Sequence, residues 1–168
     1  MSNIVGIDLG TTMSAIAVLN SLGKPEIVPN KDGDRITPSV IFFENINKLL
    51  IGEEAKNTAA TDSKSVAKEF KREMHNDDYR FDVHGNSYTA SELSSFILKK
   101  LTQDASQQVG SIKDVVISVP AYFKENQRNA TMQAGQLAGL NVIAIINEPT
   151  AAALYYASTT DIKGKGLV

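Results

Sequence analysis

Residues 8–12, Asp-Leu-Gly-Thr-Thr, place a carboxylate, a glycine and two hydroxyl groups in one short segment. Asp8 ends an apolar stretch, where its carboxylate can hold Mg²⁺ directly or through water. Gly10 allows a sharp turn and the close approach of a ligand to the backbone, and successive amide groups in such a turn can bind an anion. The hydroxyl groups of Thr11 and Thr12 add further donors. The segment is a candidate magnesium-phosphate site, although a plain β-hairpin explains the same pattern.

Three other polar residues have weaker local signals. Lys71 lies in a charged segment, 63–74, for which we predict a helix, and by itself it is best explained as a lysine on the solvent face. Glu148 directly precedes Pro149, so it is either an acid at the start of a helix, favoured by the helix dipole, or part of a site. Arg128 by itself is only an arginine in a predicted helix.

The elements that must position these residues follow from hydrophobic patterning. Predicted strands cover 4–9, 13–20, 25–29, 115–119 and 142–146, and predicted helices cover 90–109 and 124–138, with a last one from Pro149. Three strands joined by hairpins therefore precede two strands that are each reached through a helix, which predicts parallel pairing for the latter. The fold class is α/β, with a mixed five-stranded sheet and helices on both faces.

Residues 36–88 interrupt this alternation and are expected to form a small inserted α+β subdomain, with 1–35 and 89–168 as the core subdomain. Within the insertion we predict a hairpin from 40–43 and 49–51, helices at 53–60 and 63–74, and a polar stretch over 75–88. After Ser158 the chain is polar and ends on Leu167-Val168, which resembles the start of a strand. We expect it to continue in a longer parent chain.

Composition excludes several classes of function. The 168 residues carry 17 Lys and Arg against 19 Asp and Glu, a net charge of −2, so no basic surface suggests nucleic acid. There is no cysteine, which excludes disulfides, thiolate metal ligands and a thiol nucleophile. No apolar run approaches the roughly 20 residues of a membrane span, and the N-terminal residues do not form a signal peptide. A cytoplasmic protein is expected.

Three separated segments resemble one family: VGIDLGTTMSAIAV at 5–18, VVISVPAYFKENQRNATMQAGQLAGLNV at 115–142, and IINEPTAAALYYA at 145–157. They are similar to the ATPase domain of the seventy-kilodalton heat-shock chaperones of the DnaK type. The strings ELSSFIL and DVVISVPAYF also resemble the HscC-like bacterial branch. The resemblance implies an actin-like (ribonuclease H-like) fold with two lobes around a nucleotide cleft, of which this chain would be the first lobe and 36–88 the upper subdomain.

The resemblance assigns roles to the residues around the first turn. Asp8 matches the acid of the magnesium shell, through water. Gly10, Thr11 and Thr12 match the first phosphate loop, with Thr11 near the γ-phosphate and counted among the catalytic residues. Met13 falls in the same nucleotide-binding loop, where the family usually has Asn or Tyr, and its apolar side chain is expected to change the rigidity and the phosphate contacts of the loop.

Four more residues acquire roles in the same way. Lys71 matches the lysine that reaches the γ-phosphate and positions the attacking water, and Glu148 matches the acid beneath the metal and the water. Pro120 and Arg128 match positions that relay the nucleotide state to the peptide-binding domain. The segment after Lys71 is shorter than in the general chaperones, which puts the partner contacts of the upper subdomain in doubt.

The function implied by the resemblance is ATP hydrolysis that drives binding and release of unfolded polypeptides, with ATP or ADP and Mg²⁺ as cofactors. Partners would be extended polypeptide clients, held by a domain outside this chain, a J-domain co-chaperone and a nucleotide-exchange factor, with no nucleic acid and no membrane. This chain alone is expected to be inactive. An actin-type filament ATPase and a sugar or glycerol kinase share the core fold; Lys71, VPAYF and NEPTAAA argue against both.

Overall fold

The computed structural model describes residues 3–59 and 62–159. Its strands are β1 (Asn3–Asp8), β2 (Met13–Leu19), β3 (Pro25–Ile27), β4 (Thr37–Pro38), β5 (Val40–Asn45), β6 (Lys48–Ile51), β7 (Val66–Lys68), β8 (Phe81–Val83), β9 (Asn86–Tyr88), β10 (Ile112–Val119) and β11 (Asn141–Asn147). Its helices are α1 (Glu53–Thr58), α2 (Ala90–Val109), α3 (Glu125–Leu137) and α4 (Glu148–Thr159), with a 3-10 helix at Phe70–His75.

The main sheet has the strand order β11-β10-β1-β2-β3, and β4 pairs with the start of β2. The pairs β1–β2 and β2–β3 are antiparallel, whereas β1–β10 and β10–β11 are parallel. The parallel strands are reached through α2 and α3, as crossover connections require. The predicted mixed five-stranded sheet is therefore confirmed, and the short β4 adds a sixth strand.

Alternation along the strands separates the two faces of the sheet. Val5 and Ile7 of β1 are buried, whereas the alternating residues Ile4, Gly6 and Asp8 are exposed. The buried face packs against α2 and α3 in one continuous apolar core. On the other face, α4 borders a shallow depression. Helices thus lie on both faces, as predicted, but the second face is mostly open.

The longest helix begins where the sequence places its cap. Thr89 accepts a hydrogen bond from the amide of Glu92, and the Glu92 carboxylate accepts one from the amide of Thr89. This reciprocal capping box satisfies two amide groups that a helix start would leave unpaired. The prediction of a helix over 90–109 is confirmed at both ends.

The predicted helix at 63–74 is wrong. Val66–Lys68 is a strand that pairs antiparallel with β5, and Phe70–His75 is a 3-10 helix. Glu69 between them has a φ of 58°, a left-handed conformation that ends the strand and starts the turn. Burial of Val66 and Ala67 against β5 outweighs the local helical pattern.

The predicted hairpin around residues 45–47 is confirmed by β5 and β6. In the polar stretch 75–88, the turn predicted at residues 84–86 is confirmed: it joins the short strands β8 and β9, with His84 at φ 48° and Gly85 at φ 80°. Phe43 stacks on Tyr88 with ring centroids 4.9 Å apart and contacts Phe96 of α2. These aromatic rings join the local sheets of residues 36–88 to the core; their division into a separate subdomain stays a prediction.

Helix α4 continues to Thr159, so the loop expected from Ser158 does not begin there. The strand expected at Leu167-Val168 lies outside the described residues. Over 3–59 and 62–159, no helix combines the length and apolar character needed to cross a membrane.

Candidate functional site

Asp8 lies at the carboxyl end of β1, beside the end of the parallel strand β10. Ser118 on β10 is its direct neighbour in the sheet and donates a hydrogen bond of 3.0 Å to Asp8 Oδ1. Because parallel strands end at the same edge of a sheet, this edge brings together side chains 110 residues apart. Asp8 is exposed and Ser118 is buried. The serine therefore fixes one carboxylate oxygen and leaves the other available to a ligand.

The requirement for glycine at position 10 comes from the chain itself. A Cβ atom built on Gly10 would lie 1.9 Å from the carbonyl oxygen of Met13, closer than any real contact allows. The Gly10 amide donates to Ser14 Oγ at 3.1 Å, so it is not a donor for an anion. In the described part of the chain, the amides of Thr11 and Thr12 donate no hydrogen bond to the protein. An anion at this turn would be bound by these two amides rather than by that of Gly10.

Lys71 and Glu148 form an ion pair with 3.1 Å between Nζ and Oε1. The Lys71 side chain is only 4% exposed, so the interpretation from its local sequence alone, a lysine on a solvent face, is wrong. Phe70 and Met74 on the same 3-10 helix are buried in the core and anchor the segment that carries the lysine. A buried ammonium group needs a partner, and Glu148, at the start of α4, supplies it.

The ring of Phe123 forms the second contact of Lys71, with 5.4 Å from Nζ to the ring centroid. An ammonium group at this distance from an aromatic ring is stabilised by the ring quadrupole. Sequence reasoning missed Phe123 as a site residue. The available signal was its place in the string VPAYF, directly after a buried strand and before a helix.

Arg128 connects two backbone segments next to this ion pair. Its Nε donates to the carbonyl oxygen of Phe123 at 3.2 Å, and its Nη2 donates to Oδ1 of Asn147, the residue before Glu148. The amide of Phe123 in turn donates to the carbonyl of Pro120 at 3.0 Å. The structure thus brings Pro120 and Arg128 to the Lys71–Glu148 pair, and it adds Asn147, which sequence reasoning also missed.

Asp8 and Glu148 line the same depression, of about 420 Å³, on the open face of the sheet. The other lining residues come from β1, β2, β3, β10, β11 and α4, and include Gly6, Ala15, Ala17, Ser118, Ala151 and Tyr155. A second depression, of about 500 Å³, lies between Glu73 of the 3-10 helix and Asn126 of α3, away from Asp8. It contains none of the predicted site residues.

The donor set of the first depression suits a hard cation. Its carboxylate and hydroxyl oxygens are the ligands that Mg²⁺ prefers, and Mg²⁺ commonly binds through one or two carboxylates together with water and phosphate. Over the described ranges, no group of three or more His, Cys, Asp or Glu side chains could enclose a metal ion. The residues therefore fit Mg²⁺ that is bound together with a phosphate ligand.

Met13 is half-buried at the first position of β2 and faces Pro38 of β4 across the strand pair. This pairing places the apolar residue at the base of the turn. Its effect on phosphate contacts stays a prediction, as do the roles of the other site residues.

Comparison with known proteins identifies relatives over nearly the whole chain. The model of the family described as Hsp70 protein matches residues 4–78 and 73–165. The chaperone protein DnaK of Thermotoga neapolitana is 49% identical over 154 residues, which cover 91% of this chain and 26% of the relative. The chaperone protein DnaK of Thermosipho africanus is 47% identical over 163 residues, which cover 96% of this chain and 27% of the relative. The chain thus spans about a quarter of the length of these relatives.

Proposed function

The chain belongs to the Hsp70 family, and from this membership we propose that it is the first lobe of the ATP-binding domain of a DnaK-type chaperone. The whole protein would hydrolyse ATP and use the energy to bind and release unfolded polypeptides. The observation that carries the proposal is the buried Lys71 held 3.1 Å from Glu148, since Glu148 lines the same depression as Asp8. Placement in the HscC-like branch stays a prediction.

Hydrolysis of a phosphoanhydride depends on positioning and on stabilisation of charge. Lys71 would supply a fixed positive charge to the γ-phosphate, because its side chain is buried and anchored between Glu148 and Phe123. The amide and hydroxyl groups of Thr11 and Thr12 would bind phosphate oxygens. Asp8 and Glu148 would hold magnesium at this edge of the sheet, and the metal would supply positive charge to the phosphates.

The two acidic residues would have different tasks. Asp8, oriented by Ser118, would hold the water shell of the metal. Glu148 would accept a hydrogen bond, either from the attacking water or from the ammonium of Lys71, which donates to it in this structure. The ion pair holds the side chain of Lys71 in place before ATP binds.

Arg128 would transmit the change from bound ATP to bound ADP from the site to α3. It donates to the carbonyl of Phe123, whose ring lies under the Lys71 ammonium, and to the side chain of Asn147, which precedes Glu148. A shift of either site residue on hydrolysis would therefore move the start of α3. Pro120, whose carbonyl accepts from Phe123, would transmit the shift to the end of β10.

The partners and compartment belong to the same proposal. Clients would be extended polypeptides bound by a domain outside this chain, with a J-domain co-chaperone, a nucleotide-exchange factor and a cytoplasmic location. This chain alone would be inactive, because the depression of about 420 Å³ is an open face with one wall and tight sites bury most of their ligand.

The test uses the full-length protein that contains this chain. ATP hydrolysis and the affinity for an unfolded peptide are measured with and without each other. We expect ATP to weaken peptide binding and peptide to accelerate hydrolysis. ATP-dependent growth of light scattering would instead support a filament protein, and ATP consumption only with a sugar or glycerol would support a kinase; either result without peptide coupling rejects the proposal.

A further inference from the structure

Two buried serines enclose the backbone of Gly10 in a closed ring of hydrogen bonds. We propose that Ser14 and Ser39 are positioning residues that hold the phosphate-binding turn, residues 10–12, at a fixed position relative to the segment that carries Lys71. The inference rests on the proposed ATPase function of the site, and it assigns a role to two residues that the motif analysis did not single out.

The ring consists of three hydrogen bonds. The Gly10 amide donates to Ser14 Oγ at 3.1 Å, the two hydroxyl oxygens of Ser14 and Ser39 lie 2.9 Å apart, and Ser39 Oγ donates to the Gly10 carbonyl at 2.8 Å. A hydroxyl group has one hydrogen to donate. Since Ser39 gives its hydrogen to Gly10, Ser14 must donate to Ser39, and every polar group of the ring is satisfied.

Both serines are almost inaccessible, Ser14 at 1% and Ser39 at 2% exposure. Hydroxyl groups buried to this extent are costly unless they are bonded, and here the two are bonded to each other and to the backbone groups of one residue, Gly10. In the ring, the N–H and C=O groups of Gly10 are bonded to protein side chains rather than to a ligand. The neighbouring amides of Thr11 and Thr12, which donate nowhere in the described chain, remain as the donors for phosphate.

Ser39 also joins this turn to Lys71. Its amide donates to the carbonyl of Thr12 at 2.8 Å, and the next residue, Val40, pairs with Lys68 of β7. Lys68 lies three positions before Lys71. Ser39 is thus bonded to the phosphate-binding turn, and the adjacent Val40 is paired with the strand that leads into Lys71. These two residues therefore set the distance between the turn and the lysine.

The experiment compares six forms of the full-length protein: wild type, Ser14→Ala, Ser39→Ala, Ser39→Thr, the double variant Ser14→Ala, Ser39→Ala, and Ser94→Ala. Ser94 is the matched control, because its hydroxyl is fully buried in α2 and has no hydrogen-bond partner among the described residues. Affinities for ATP and for adenosine are measured by calorimetry, and amide hydrogen exchange is measured without nucleotide.

We expect Ser39→Ala to weaken ATP binding about five- to tenfold, the effect of one or two lost hydrogen bonds. Adenosine affinity should stay unchanged, because the turn holds only phosphates. Ser39→Thr keeps the hydroxyl and should restore most of the ATP affinity, and Ser94→Ala should match wild type. The double variant Ser14→Ala, Ser39→Ala should cost little more than Ser39→Ala, because the ring is already open.

Faster exchange of the Gly10 amide, which donates to Ser14 in the ring, is the second expected result in Ser39→Ala relative to Ser94→Ala, and it does not depend on ATPase activity. If Ser39→Ala does not fold, Ser14→Ala gives the same comparison. Equal ATP affinity and equal exchange in the serine variants and the Ser94→Ala control would overturn the inference. If wild type binds no ATP, the proposed function fails, whereas equal behaviour of the variants with a normal wild type rejects only the role of the two serines.

Discussion

Lys71 Nζ lies 3.1 Å from Glu148 Oε1, although 77 residues separate them in the chain. The two partners differ in environment: the lysine side chain is 4% exposed and the glutamate side chain is 39% exposed. The positive charge therefore depends on the pair for its solvation, whereas the negative charge retains contact with water. Removing Glu148 and removing Lys71 should therefore change the free energy of unfolding by different amounts.

Loss of Glu148 should destabilise the fold more than loss of Lys71. Glu148→Ala leaves a buried ammonium group whose remaining partner, among the residues that the structure describes, is the Phe123 ring. We expect the free energy of unfolding to fall by about 1–2 kcal/mol, less than for a fully buried pair because Glu148 is partly exposed. Lys71→Met removes the buried charge itself and should cost less or stabilise. Urea unfolding of the chain measures both.

The exposed pair of Lys31 and Glu54, with side chains 41% and 55% exposed, provides the control. Glu54→Ala should change the free energy of unfolding by less than about 1 kcal/mol. Equal losses for Glu148→Ala and Glu54→Ala would contradict the dependence of Lys71 on Glu148.

Lys71→Ala in the full-length protein should nearly abolish ATP hydrolysis while ATP binding persists. The charge of Lys71 acts where negative charge is rearranged on the γ-phosphate, and removal of such a group costs about 100- to 1000-fold in rate. Single-turnover hydrolysis and ATP affinity are measured together, with the exposed Lys68→Ala as the control. Near-normal hydrolysis in Lys71→Ala would remove the lysine from the mechanism.

Arg128→Ala and Pro120→Gly should uncouple the nucleotide from the peptide. Neither residue lines the depression that contains Asp8 and Glu148, so ATP affinity should stay within about threefold of wild type. ATP should, however, no longer lower peptide affinity, and by reciprocity peptide should no longer change ATP affinity. Peptide affinity with and without ATP gives the result.

Arg72→Ala is the control for Arg128, because its side chain is 68% exposed and, within residues 3–59 and 62–159, forms an ion pair with the nearby Glu69 alone. It should retain full coupling. Wild-type release of peptide by ATP in both Arg128→Ala and Pro120→Gly would show that the signal takes another path.

Gly10→Ala should be strongly destabilising, because the new Cβ would lie 1.9 Å from the Met13 carbonyl oxygen and the backbone of the turn would have to move. We expect a loss of about 2–3 kcal/mol in the free energy of unfolding, in the range for a strained backbone. Gly6→Ala, four residues earlier in β1, adds a Cβ with no atom within 4 Å and should be nearly neutral. Urea unfolding of the two variants compares them, and similar stability would refute the steric argument.

The sequence by itself determined the elements that depend on local signals. The capping box of Thr89 and Glu92 and the helical spacing of apolar residues fixed α2, and the strand-helix alternation predicted the order of the main sheet. These signals act within a few residues, so they can be read without knowledge of the fold. The family motifs likewise singled out candidate site residues such as Asp8 and Glu148, because each motif is a continuous string.

Only the tertiary structure decided the contacts between distant segments. Residues 66–68 became a strand because β5 offered an edge on which Val66 and Ala67 could be buried, and no local pattern contains that partner. The same holds for Lys71, which looks like a surface charge until the fold places Glu148 and Phe123 beside it. Burial and pairing are properties of three-dimensional neighbours, so they emerge only when the whole chain packs.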